Sequence, residues 1–186
     1  MSLTHRLRAT VAGLAAVAVV AGGLGSAGGA AAAPAAKAAS NAPVHNCTFK
    51  TYNKGRYLTA VGGGGRTSDV LHTDAVRAGS WEKFTLVDSG DGSSTIRYGI
   101  QTKTGIFLSA VGGGGRTTDV MHSDATQLQS WEKLTLISLG GGTYAIQTID
   151  GHYLTAVGGG GRITDTIHSD ATRIGAWERF RFTCGI

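Results

Sequence analysis

Four residues of chemical interest sit close together in this chain: Arg66, Asp69, His72 and Asp74. The same set returns as Arg116, Asp119, His122 and Asp124, and again as Arg162, Asp165, His168 and Asp170. Carboxylates accept hydrogen bonds from hydroxyls, and Arg and His donate them, so the set suits a shallow sugar site. Such a site also wants an aromatic to cover an apolar sugar face. Tyr57, Phe107 and Tyr153 precede the three clusters at matching positions. Other uses of these residues stay open. Asp69 can cap the backbone amides of the glycine loop before it, with Arg66 paired to Asp69 or Asp74. Asp-x-x-His-x-Asp also offers hard and imidazole metal ligands. Strand alternation, however, sends His72 and Asp74 to one face and Asp69 to the other, so no metal and no cofactor is expected. Asp69 and Asp74 could mimic a glycosidase pair. Three equivalent copies speak instead for binding, and the chain is not expected to be an enzyme.

The clusters belong to a longer repeat. Leu58, Leu108 and Leu154 open it, and Trp81-Glu82, Trp131-Glu132 and Trp177-Glu178 close it. The shifts, 108 − 58 = 50 and 154 − 108 = 46, fit one four-strand unit. In the first copy Asn46 to Thr51 reads as a strand and 52–55 as its turn. Tyr57 to Val61 is the second strand, with Leu58 and Ala60 inward. Gly62 to Gly65 is a loop that needs positive φ or close backbone approach. It resembles a phosphate loop only superficially, since no Lys-Ser/Thr and no helix follow. Asp69 to Asp74 is the third strand. Leu71, Met121 and Ile167 point inward, and alternation places Val70, His72 and Asp74 outside. Trp81 to Val87 is the fourth strand. The recurring tryptophans are expected in the core at the barrel base, and Glu82 is expected to bond backbone at the turn. The cycle restarts at Thr95 and Thr143.

Helical periodicity is absent, and short alternating stretches broken by glycine recur, an all-β pattern. Three units of four strands, over about 45–92, 93–141 and 142–186, are the signature of a β-trefoil. Leu58, the glycine loop, Leu71 and the closing Trp81-Glu82-Lys83-Phe84 resemble fascin-type trefoil units. Glu82-Lys83-Phe84 also falls where ricin-type lectin repeats carry Gln-x-Trp, so the module departs from that type. As a whole, residues 45–186 resemble secreted actinobacterial lectins of three tandem repeats. That resemblance implies binding of galactose- or rhamnose-type glycans, with up to three equivalent sites. The alternatives are a fascin-like structural module of the cell envelope and a trefoil enzyme inhibitor.

The first 40 residues read differently. Basic residues before Thr10, an apolar run from Val11 to Leu24 and several Ala-x-Ala sites are those of a secretory signal peptide. The run is about 14 residues, short of the ~20 that span a bilayer, so no membrane insertion is expected. Removing this segment takes Arg6, Arg8 and Lys37. The 17 basic residues fall to 14 against 12 acids, and the net charge falls from +5 to +2. No basic run survives, which argues against nucleic acid as a partner. An exported monomer is expected. Export makes a disulfide between Cys47 and Cys184 the default. In a trefoil, these residues lie on neighbouring first and last strands.

Overall fold

The computed structural model describes residues 42–185; the signal-peptide segment lies outside them. Twelve strands run in chain order. The first repeat holds β1 (Val44–Thr51), β2 (Tyr57–Ala60), β3 (Leu71–Ala75) and β4 (Phe84–Asp88). The second holds β5 (Arg97–Gln101), β6 (Phe107–Ala110), β7 (Met121–Ala125) and β8 (Leu134–Gly140). The third holds β9 (Thr143–Gln147), β10 (Tyr153–Ala156), β11 (Ile167–Ala171) and β12 (Phe180–Thr183).

The first and last strands of each repeat close a six-stranded antiparallel barrel. β1 pairs with β4, β4 with β5, β5 with β8, β8 with β9, β9 with β12, and β12 with β1. The middle strands form three hairpins, β2–β3, β6–β7 and β10–β11. Closure leaves the barrel without a free edge. This is a β-trefoil, as the three equal blocks imply. The disulfide Cys47–Cys184 is formed across the seam where β1 meets β12.

Short strands close here because each offers one large apolar residue to the interior. Phe49, Phe84, Phe180, Ile100, Leu134 and Ile146 fill the barrel, and Leu58, Leu108 and Leu154 sit beneath the hairpins. The hairpins interlock cyclically around the pseudo-three-fold axis. Ser123 N–H donates to Arg66 O, Ser169 N–H to Arg116 O, and Thr73 N–H to Arg162 O. Gly65, Gly115 and Gly161 return bonds to the carbonyls of Ser123, Ser169 and Thr73. Each glycine loop therefore fastens its own repeat to the next.

The strand bounds shift: β1 starts at Val44 instead of Asn46, β2 ends at Ala60 instead of Val61, and β3 and β4 move further. β3 starts at Leu71 instead of Asp69, because Asp69 holds a left-handed φ of 49° that breaks the extended chain. Val70 then turns inward and is buried, contrary to the outward placement expected from alternation. Thr166 is accommodated at the matching place by donating from Oγ1 to Leu71 O at 2.6 Å. β4 starts at Phe84, and Trp81 lies in the turn before it.

Candidate functional site

Around Asp69 the chain builds a compact polar cluster. His72 Nε2 donates to Asp69 Oδ1 at 2.6 Å, and Arg66 reaches Asp69 Oδ2 at 3.4 Å. Arg66 Nε also donates to the carbonyls of Ser68 and Asp69. The second repeat has His122 on Asp119 at 2.8 Å and Arg116 on Asp119 at 3.5 Å. The third has His168 on Asp165 at 2.6 Å and Arg162 on Asp165 at 3.3 Å. The expectation that Asp69 faces away from His72 is thus corrected. The left-handed turn at Asp69, shared by Asp119 and Asp165, swings the carboxylate back under the imidazole. The geometry makes these three residues a clamp on the loop that follows the glycines.

Asp74 and Asp170 stay outside this clamp as exposed carboxylates. Asp124 approaches His122 Nδ1 at 4.0 Å. The position-57 aromatics do not join the cluster. Tyr57 pairs with Ala75 across β2–β3, and a register shift separates this pair from Thr59–His72, so Tyr57 stands three residues along β3 from His72. The Tyr57 ring carries the Lys50 ammonium at 4.6 Å. Phe107 is buried, packed where a β-carbon on Gly99 would collide with it at 2.6 Å. Tyr153 pairs with Ala171 as Tyr57 does with Ala75.

The tryptophans are the larger correction. Trp81, Trp131 and Trp177 are 47%, 50% and 46% exposed, where a core position was expected. Glu82 takes the interior place instead. Its Oε1 accepts from Thr59 Oγ1 at 2.7 Å, and Oε2 accepts from the Gly79 amide at 2.6 Å. Glu132 and Glu178 repeat this with Ser109 and Gln129, and with Thr155 and Gly175. A buried carboxylate so anchored forces the residue before it outward.

Each tryptophan is held by its backbone: its carbonyl accepts from Ala60, Ala110 or Ala156 N–H at 2.8–2.9 Å. The Trp81 indole leans on the glycine loop. A β-carbon on Gly63 would stand 3.5 Å from both Trp81 Nε1 and Thr104 Cγ2. One on Gly62 would stand 3.9 Å from Arg66 Cδ. Thr104, from the next repeat, donates through both N and Oγ1 to Gly63 O. The first platform is thus an indole, a glycine floor and a turn from the neighbouring repeat. Asp150 stands at the matching place beside Gly113, and Asn53 beside Gly159. Among the described residues none of the three indole N–H groups has a protein acceptor. The signal for these residues was present in the sequence, since Gly-Ser-Trp, Gln-Ser-Trp and Gly-Ala-Trp are turn contexts.

No protein-family model and no curated protein matches the chain. Among solved structures, the designed three-fold symmetric protein ThreeFoil is similar with a TM-score of 0.61 and 14% identity, over 73% of this chain and 96% of that one. The Rhizoctonia solani agglutinin is similar with a TM-score of 0.60 and 14% identity, over 76% and 96%. SeviL, solved with the asialo-GM1 saccharide, gives 0.54 and 12%, over 75% and 97%. At these identities the likeness is one of fold.

Proposed function

We propose that the protein is a secreted, multivalent carbohydrate-binding protein with up to three sites, taking galactose- or rhamnose-type sugars. The observation that carries this reading is the threefold recurrence of a half-exposed tryptophan with an unpartnered indole N–H. The core place in this segment is already filled by Glu82 and Phe84. A flat indole covers the C–H face of a pyranose, and its N–H donates to a ring hydroxyl. The disulfide at the barrel seam supports an oxidising location outside the cell. Weak single sites on one rigid body gain strength on a glycan-dense surface through avidity. Three equivalent copies favour binding over catalysis.

A second reading places the sugar at the exposed Asp74, Asp124 and Asp170, beside His72, His122 and His168. It is favoured by the carboxylates of Asp74 and Asp170, which have no partner among the described residues. A glycan array finds the sugar, and two triple variants then separate the sites. Trp81, Trp131 and Trp177 changed together to Ala should abolish agglutination, with about a tenfold loss of affinity per site, and keep the β circular dichroism spectrum. Asp74, Asp124 and Asp170 changed together to Ala should leave binding intact. The reverse pattern moves the site to the carboxylates. A chain that binds no glycan returns the fascin-like structural role.

A further inference from the structure

The three tryptophan platforms are not alike in charge. Next to the turn that precedes Trp81, a cleft of about 620 Å³ opens between the first and second repeats. One wall is the segment 78–80 with the start of β4, the other is Thr102 and Lys103, and His45 stands at its end. Its lining holds three bases, His45, Lys83 and Lys103, and no carboxylate.

The other repeats do not reproduce this pair of free lysines. Lys133, the counterpart of Lys83, pairs with Asp91 at 3.3 Å. Arg179, the next counterpart, lies over the Tyr52 ring at 6.0 Å. Lys103 is replaced by Ile149. Lys83 and Lys103 have no acid or acceptor for their ammonium groups among the described residues. His45 meets only Thr85 Oγ1, at 3.1 Å. Charges left without a counter-ion in a partly enclosed cleft favour an incoming anion.

The cleft adjoins the first platform through the chain neighbours of two platform residues. Ser80 lines it and precedes Trp81, while Lys103 lines it and precedes Thr104, which shares the Gly63 floor with Trp81. We infer that this site takes an acidic sugar, its carboxylate or sulfate between Lys83 and Lys103 and its ring against Trp81. The inference rests on the carbohydrate-binding reading. From residue 41 on, bases exceed acids by only two, and the cluster is confined to one seam. That suits a single sugar anion better than an extended polyanion.

The test follows the three indole N–H resonances of the ¹⁵N-labelled protein, assigned with Trp81→Phe, Trp131→Phe and Trp177→Phe. Sodium galacturonate should shift the Trp81 indole at about a tenfold lower concentration than galactose does. The preference should vanish in Lys83→Gln/Lys103→Gln and in 0.5 M salt, about three times the ionic strength at which screening reaches ~8 Å. It should persist in Lys133→Gln. Equal titration by the two sugars, a preference on Trp131 or Trp177 instead, or one that survives the double variant overturns the acidic-sugar site while leaving a lectin. Should no sugar move any indole, shifts of the Gly79 and Ser80 amides with galacturonate alone would keep the anion cleft and remove the tryptophan lectin. Silence at those amides too removes both.

Discussion

Glu82, Glu132 and Glu178 are the residues on which each platform depends. Each is a buried carboxylate whose two oxygens accept from a strand hydroxyl and a turn amide. Burying an ionised group is tolerable only when its acceptors are used, and here they are. Glu82→Ala removes the acceptor and leaves the Thr59 hydroxyl and the Gly79 amide unsatisfied. We expect a loss of about 2–3 kcal/mol in urea unfolding, with Trp81 released from its fixed position. Glu82→Gln keeps the shape and one acceptor oxygen and should cost less. An Ala variant as stable as the parent would mean that the turn holds itself. The clusters at Asp69 show the same economy of acceptors. One carboxylate serves both Arg66 and His72.

At the scale of the element, the glycine loop is a spacer between repeats. Gly64 has φ 112°, and a β-carbon there would meet Thr102 Oγ1 at 2.4 Å. Gly65 has φ 79° and open space around it. Gly64→Ala should therefore cost about 3 kcal/mol, combining strain and collision, and Gly65→Ala only about 1 kcal/mol. Equal losses in denaturant unfolding would show that conformation alone matters in this loop.

The loop after β4 makes a pH prediction. The Ser93 amide donating to Asp91, with Lys133 and Arg97 beside it, holds the Asp91 carboxyl below its ordinary value. A lowered folded value means that its contribution is present above about pH 4 and fades as acid protonates it below that. The stability gap between the parent and Asp91→Asn should accordingly shrink between pH 6 and pH 3, in pH units about the ordinary carboxylate range. A gap that widens on acidification would contradict the lowered value.

For the whole molecule, closure is the governing fact. β1 and β12 are 137 residues apart at their cysteines, and the ring exists only once they pair. Thr48 and Thr183 add a hydroxyl contact of 3.0 Å across the same seam. Chain-entropy arguments put the disulfide at up to about 4–5 kcal/mol. Reduction should lower the melting midpoint by about 10 °C. An unchanged midpoint would mean that strand pairing alone holds the seam. The barrel also holds the three tryptophan turns on one closed frame, so avidity under the proposed carbohydrate-binding reading would depend on the fold remaining closed.

Repetition and alternation were enough to read twelve strands, their grouping into three, and the inward Leu58 and Leu71; the Cys47–Cys184 pair followed from there being two cysteines in a chain expected to be exported. The strand readings follow from local rules: side-chain period, glycine without a β-carbon, and a period matching one four-strand unit. The site was less legible. Alternation misplaced Asp69 and Val70 because one left-handed residue resets the period, and a non-glycine gives little warning of that. Tryptophan was assigned to the core because it recurs at what reads as a strand start, yet a buried Glu82 bonded to Thr59 and Gly79 claims that space. Only the packed structure decides such a contest, since it turns on which residue finds acceptors and donors inside. Likewise, Lys83 and Lys133 occupy the same place in the repeat, and only the fold brings Asp91 to one and leaves the other free.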